Sequence, residues 1–207
     1  MTPDPSYKDD LRKAYDADVA RRDAMEPATW RIETIDRFSE ALTEGAASTV
    51  LELGCGTGQL AHYLLDMGFA VSAIDLSPGN VEATKRRGVD AEVADFVSLP
   101  YADASFDAAF AFNSLIHVPE AELPEAFAEI RRVLIPGALL LVVVWGGTRH
   151  EGPLPDDWLD PPRYFSFYAD DEIVAMQIPG FTLVDFTTRD DTEDLDHHAQ
   201  ILFFRAI

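Results

Sequence analysis

The chain has 207 residues and a hydrophobic fraction of 47%, enough for one domain with a single large core, and no apolar run nears the roughly 20 residues that cross a bilayer. Its formal charge of −21 repels nucleic acid and anionic membranes at long range, which makes both poor partners and favours a small-molecule substrate. Cys55 has no second cysteine to pair with, no Cys/His cluster has metal-ligand spacing, and the N-terminal stretch lacks the apolar core of a secretory signal, so a metal-free protein of the cytoplasm is expected.

Residues 1–44 read as helical, with segments at Ser6–Ala24 and Thr29–Leu42 split by Pro27. From residue 45 the chain alternates strand-like and helix-like segments, which predicts βαβ units around a parallel sheet. The first strand covers Thr49–Leu53, and its helix, Leu60–Met67, stops at Gly68. Ala70–Ile74 is a second strand ending in Asp75; Ser77-Pro78 then caps a helix that runs to Arg87. Ala91–Ala94 is a short third strand ending in Asp95. Phe106–Phe112, apolar almost throughout, is a fourth, covered on both faces. A helix follows over Pro124–Leu134, with Leu123, Phe127, Ile130, Val133 and Leu134 on one face. Pro136-Gly137 breaks the chain before a fifth strand at Leu139–Val144.

Between residues 148 and 163, four prolines (Pro153, Pro155, Pro161 and Pro162) argue against regular structure. A helix is expected at Asp170–Gln177, then strands at Phe181–Thr188 and Ala199–Arg205 that form an antiparallel hairpin. The acidic run Asp190, Asp191, Glu193, Asp194 and Asp196 reads as the solvated loop between them. The expected architecture is an α/β, doubly wound, seven-stranded sheet, mostly parallel with a C-terminal antiparallel hairpin.

The chemistry concentrates after the first strand, in Glu52-Leu53-Gly54-Cys55-Gly56-Thr57-Gly58. Glycine at every second position lets the backbone turn sharply and lie against a ligand. The dinucleotide fingerprint G-x-G-x-x-G is not met, because Gln59 stands at its third glycine. Glu52 adds a carboxylate, unfavourable beside a pyrophosphate and favourable beside a cation. The run E-x-G-x-G-x-G after a strand resembles motif I of the class I S-adenosylmethionine (SAM) dependent methyltransferases. Phe106-Asp107-Ala108 to His117, the stretch Arg132-Val133-Leu134-Ile135-Pro136-Gly137 and Gly180-Phe181 are similar to other segments of that family, although Ala138 replaces a second glycine.

Candidate site residues occupy four successive strand ends, where a doubly wound sheet binds its ligands. The resemblance implies SAM as cofactor, with Glu52, Gly54, Cys55, Gly56, Thr57 and Gly58 around it and Asp75 on the ribose hydroxyls. It implies Asp95 and Phe96 at the adenine, with Leu76 as an apolar wall, and Asn113 and Ser114 at the charged end. Cys55 itself reads as a small residue rather than a nucleophile. The N-terminal piece, residues 1–44, would lie across the pocket as a lid beside the main domain, 45–207; Tyr7 and Tyr15 would close over SAM and Arg31 would hold its carboxylate.

His117 is the candidate base or substrate-orienting residue, since an imidazole there could titrate near neutrality; His62 reads as structural. The acceptor pocket is expected from the lid and from Trp145, Arg149, His150, Trp158, Arg163 and Tyr164, whose rings and arginines fit a flat or partly anionic small molecule. The implied activity is methyl transfer to a small molecule. A SAM-binding protein that transfers no methyl is the alternative, and an NAD-type oxidoreductase is disfavoured by Gln59 and Glu52.

Overall fold

The computed structural model describes residues 6–154, 156–190 and 197–207. Two N-terminal helices, α1 (Tyr7–Asp23) and α2 (Thr29–Glu44), precede the sheet. Five strands then alternate with helices: β1 (Thr49–Leu53), α3 (Gln59–Asp66), β2 (Ala70–Asp75), α4 (Pro78–Arg86), β3 (Asp90–Val93), β4 (Phe106–Phe112), α5 (Leu123–Val133) and β5 (Leu134–Gly146). After β6 (His150–Pro153), β7 (Tyr164–Phe167) and α6 (Asp170–Ala175), the chain ends in β8 (Phe181–Arg189) and β9 (His198–Ala206).

The main sheet runs β3-β2-β1-β4-β5-β9-β8, with β1 to β5 parallel and β9 antiparallel to both of its neighbours. This is the doubly wound, seven-stranded architecture that the alternating pattern predicts. Winding reverses between β1 and β4, so the ends of those strands open a crevice. Both faces are covered, which is why the central strands read as unbroken apolar runs. Leu139, Leu141 and Val143 point into one core with Phe38 and Leu42 of α2 and Leu64 of α3. Leu140, Val142 and Val144 point into the other with Phe127, Ile130 and Val133 of α5.

The two N-terminal helices do different work. α2 is amphipathic and packs on the sheet, with Phe38 against Phe110 and Phe203. α1 buries only Leu11, Ala14 and Asp18. It is held instead by charge: Asp9 and Asp10 lie in its first turn and Arg21 and Arg22 in its last, matching the helix dipole. Asp16 accepts from Ser77 Oγ and from the Gly79 amide (2.9 Å), which fixes α1 against the start of α4. Lys8 bridges Asp95 (2.7 Å) and Glu122 (2.9 Å), and Asp23 pairs with Arg87 (2.7 Å). These contacts lay α1 across the strand ends.

Two expectations are corrected. Pro136 and Gly137 do not interrupt β5: Phe106 pairs with Leu134 and Ala108 with Leu139, so the extra residues bulge within one strand. The proline-rich stretch does form regular structure, because β6 ends at Pro153 and pairs with β7 in a separate two-stranded sheet, His150 opposite Phe167. Pro153 sits at the strand's last position, Pro161 and Pro162 fall outside it, and Pro155 lies outside the described residues. Of the acidic run, Asp190 is exposed, and Asp191, Glu193, Asp194 and Asp196 lie outside the described residues.

Candidate active site

A cavity of about 630 Å³ opens at the ends of β1, β2 and β4, roofed by α1 and the α1–α2 connection. That volume is in the range of small-molecule and cofactor sites. Its wall brings together Glu52, Gly54, Cys55, Gly56, Thr57, Asp75, Leu76, Phe96, Asn113, Ser114, His117, Trp145, Trp158, Tyr15 and Arg31 from the sequence candidates. Gly58 lies behind the wall at the start of α3, packed against Thr84.

The loop after β1 is shaped by its neighbours. The Gly54 and Cys55 amides both donate to Ile74 O (2.9 Å), tying the loop to β2. Gly54 has φ +76°, and a Cβ there would overlap Ser114 Cβ, so the backbone passes directly against the β4 end. Ser114 Oγ donates to Leu53 O (2.5 Å). Cys55 Sγ lies 3.2 Å from Thr84 Oγ1, and burial pushes its thiol well up, which fits a packing role rather than a nucleophile.

Glu52 is the unusual group in this wall. It is 2% exposed, and its Oε2 has no hydrogen-bond partner among the described residues. Burial, with the Asp75 carboxylate beside it, pushes its carboxyl well above the usual range, against the opposing Ala61 amide and Arg31 charge. One oxygen of this buried carboxyl is thus left without a partner at the cavity wall. Asp75 is held in place: one oxygen accepts from the Gly56 amide (2.8 Å), the other from the Ser77 amide (2.9 Å) and Asn80 Nδ2 (3.3 Å). A carboxylate keeps further lone pairs beyond these. Ser77 caps α4 by accepting from the Asn80 amide (3.0 Å), which leaves Asp75 free of that duty.

Asn113 has φ +55° at the end of β4. With its amide oxygen turned inward it accepts from Trp145 Nε1 (3.1 Å) and from Arg31 (2.8 Å). Arg31 is thereby fixed above the Phe112 ring, 5.0 Å from its centroid.

His117 sits in a single 3-10 turn (Leu115–His117) after β4. Its Nδ1 lies 2.7 Å from Tyr164 O, a carbonyl that can only accept, so Nδ1 carries the proton. The Nε2 lone pair then accepts from the Tyr15 hydroxyl at 2.5 Å. Burial, helped by the charges of Arg163 and Arg22, pushes the imidazole down to about 3. The expectation that His117 titrates near neutrality is therefore not met: it is neutral with both nitrogens engaged.

Several candidates lie away from the cavity. Asp95 is taken by Lys8, and its other oxygen accepts from the Val97 amide (3.3 Å). Tyr7 donates to Glu122 (2.9 Å). Arg149 pairs with Glu120 and Glu151, and His150 lies 3.1 Å from Gly152 O. Tyr164 donates to Glu151 (3.0 Å). Arg163 is buried in a bidentate pair with Asp157 (2.9 and 2.7 Å), and its remaining nitrogen donates to the Tyr15 hydroxyl (3.3 Å). Apart from His150, which meets a backbone carbonyl two residues away, each is consumed by a charged partner. The sequence reading missed Arg12, Arg21, Arg22, Met25, Trp30 and Phe112, all in the wall; α1 is too polar throughout to show which of its faces turns inward.

Residues 51–142 match the methyltransferase domain family. Over those residues the chain is similar to the class I SAM-dependent methyltransferases. An O-methyltransferase of Aspergillus nomiae is 35% identical over 141 residues, 64% of this chain and 61% of that one. The chain spans about half the length of the next two curated relatives, an O-methyltransferase of Aspergillus sclerotiorum (52%) and a methyltransferase of Streptomyces halstedii (51%). Among solved structures, a Burkholderia thailandensis 1,6-didemethyltoxoflavin-N1-methyltransferase with bound S-adenosylhomocysteine has a TM-score of 0.75 at 20% identity, covering 100% of this chain and 91% of that one. The cyclase SpnF has a TM-score of 0.73 at 23% identity, covering 100% and 98%. These likenesses establish the fold. That a cyclase shares it shows that the fold alone does not fix the reaction.

Among the described residues no helix is long and apolar enough to cross a membrane, and no group of His, Cys, Asp and Glu could hold a metal ion.

Proposed function

We propose that this chain binds SAM in the cavity and catalyses transfer of its methyl group to a small-molecule acceptor, in the cytoplasm. The observation that carries the reading is the unpartnered Glu52 Oε2, buried on the wall beside the Gly54–Gly56 loop. A carboxyl so placed fits a cation and opposes a pyrophosphate. Asp75, held by two backbone amides with lone pairs to spare, fits a pair of ribose hydroxyls; Leu76 and Phe96 fit the faces of a purine; Arg31 fits a carboxylate. Asp95, occupied by Lys8, is not assigned to the adenine. The relatives named as O-methyltransferases support an oxygen acceptor.

Bound SAM supplies a methyl group already activated by its sulfonium. The chain's own task is to hold an acceptor near that group and in line with it. α1 closes the cavity as a lid, which excludes water, and the Tyr15–His117 bond fixes the lid to the turn after β4. His117, neutral and with both nitrogens engaged, positions Tyr15 rather than removing a proton.

Calorimetric titration with SAM, S-adenosylhomocysteine and NAD tests the cofactor, and formation of S-adenosylhomocysteine over an acceptor panel tests transfer. Asp75→Ala should weaken cofactor binding by about 1–3 kcal/mol, the usual cost of losing charge-assisted hydrogen bonds. Unchanged binding would move the ribose site elsewhere. Cofactor binding with no product on any acceptor would favour a SAM-binding protein that transfers no methyl.

A further inference from the structure

The cavity wall is richer in arginine than the chain that forms it. The whole sequence has 16 basic against 37 acidic residues. The wall has four arginines, Arg12, Arg21, Arg22 and Arg31, against three acids, Glu26, Glu52 and Asp75. Arg12 and Arg31 lie toward the cofactor half, bonded to Leu76 O (3.3 Å) and Asn113 (2.8 Å). The other two converge on Trp158.

Trp158 is 57% exposed, yet it belongs to the cavity wall, as does Met25, which is 50% exposed. Three guanidinium groups surround the Trp158 ring: Arg21 at 4.1 Å from its centroid, Arg163 at 5.2 Å and Arg22 at 5.9 Å. Arg163 is neutralised by Asp157, and Arg21 is bidentate to Asp18. Arg22 is different. It gives Asp18 only its Nε (2.8 Å) and lies 4.7 Å from the Tyr15 ring centroid. Its two terminal nitrogens have no hydrogen-bond partner among the described residues. A largely exposed aromatic ring beside an unspent guanidinium fork matches a flat ring carrying a carboxylate or phenolate. The same unspent guanidinium disfavours an ammonium.

On the reading of the cavity as a methyltransferase site, we propose that its mouth, between the α1–α2 connection and the loop before β7, is the acceptor subsite. It takes a planar aromatic anion, stacked on Trp158 and paired with Arg22. This assignment moves the anion-selecting role from Arg149 and Arg163, which are spent on Glu120 and Asp157, to a residue on α1. It also fits a neutral His117, because an acceptor that arrives ionised needs no base.

The test is calorimetric binding of three probes of one ring system, 2-naphthoate, 2-naphthylmethanol and 2-naphthylmethylamine, to protein saturated with S-adenosylhomocysteine. Binding of S-adenosylhomocysteine is measured first, and its failure counts against the cofactor reading, not against the subsite. With that complex formed, 2-naphthoate should bind about tenfold more tightly than the alcohol, with the amine weakest. Arg22→Gln, its folding confirmed by S-adenosylhomocysteine binding, should abolish the preference for naphthoate over the alcohol. Trp158→Ala should weaken both. Equal affinities, a preference for the amine, no binding of any probe, or an unaltered preference in Arg22→Gln would each overturn the proposal.

Discussion

Tyr15 of α1 and His117 of the turn after β4 share a hydrogen bond of 2.5 Å across the cavity mouth, although 102 residues separate them. The Tyr164 carbonyl sets its direction by holding the proton on Nδ1, so the tyrosine hydroxyl donates to Nε2. Arg163 donates to the same hydroxyl at 3.3 Å. Three segments thus meet on one oxygen: α1, the β4 end and the start of β7.

Tyr15→Phe should therefore act on the placement of α1. It leaves the buried Nε2 of His117 without a donor, which costs about 1–3 kcal/mol. The expected outcome is a lower urea midpoint, with faster amide hydrogen exchange in α1 than in α2. Exchange in α1 at the wild-type rate would show that the bond does not hold the helix down.

Glu52 gives a pH dependence whose sign is fixed by its burial. In the ligand-free protein its carboxyl, facing Asp75, Arg31 and the Ala61 amide, is pushed up. A group raised on folding contributes stability below its unfolded value and loses that contribution as pH rises through its folded value. Binding of a cation has the opposite preference, because it needs the carboxylate. SAM affinity should accordingly strengthen as pH rises above the usual carboxylate range, with proton release on binding. Glu52→Gln should flatten most of that slope; what remains belongs to Asp75, which burial also raises. A slope unaltered by the substitution would remove Glu52 from the cation site.

Much of the sheet is legible in the sequence because its causes are local. A strand covered on both faces must be apolar throughout, as Phe106–Phe112 is, and a loop that passes against a neighbouring strand end needs glycine, as Gly54 shows. The polar residues that end β1, β2 and β4 follow from the winding and all reach the cavity. The failures are non-local. Asp95 stands at a strand end like the others, but Lys8, 87 residues away, takes it. Arg163 sits among aromatic residues, as an acceptor-binding arginine would, yet the loop turns back and buries it against Asp157. α1 carries charge on every face, so its sequence does not show that Arg22 rather than Arg12 keeps an unspent fork at the mouth.

The Asp157–Arg163 pair makes a prediction about stability, not binding. Burial opposes ionisation of Asp157, but the Arg163 side chain and amide outweigh it and hold the carboxyl below its usual range. Asp157→Ala would leave a buried guanidinium unpaired behind Tyr15, at a cost of about 3–5 kcal/mol. A carboxyl lowered on folding contributes stability above its unfolded value and loses it as pH falls through its folded one. The gap in urea midpoint between wild type and Asp157→Ala should thus be full at neutral pH and narrow below about pH 4. An equal gap at both pH values would mean that the charge of Asp157 is not what stabilises the loop.

Two costs are separable within the glycine loop. Gly54 (φ +76°) and Gly56 (φ +53°) both have left-handed backbones, which cost a non-glycine residue about 1–2 kcal/mol. Beyond that they differ. A Cβ at Gly56 meets nothing within 4 Å, whereas at Gly54 it overlaps Ser114 Cβ and lies 3.4 Å from the Phe96 ring. Gly56→Ala should lower stability by the backbone cost alone, and any loss of cofactor affinity beyond it measures how closely the ligand approaches that position. Gly54→Ala must also push the loop away from the β4 end, so it should lose more stability than Gly56→Ala, and Ser114→Gly should recover part of the difference by removing the Cβ it strikes. If the two alanine variants prove equally stable in urea, or if Ser114→Gly recovers nothing, the close passage of the loop against Ser114 is not what requires glycine at position 54.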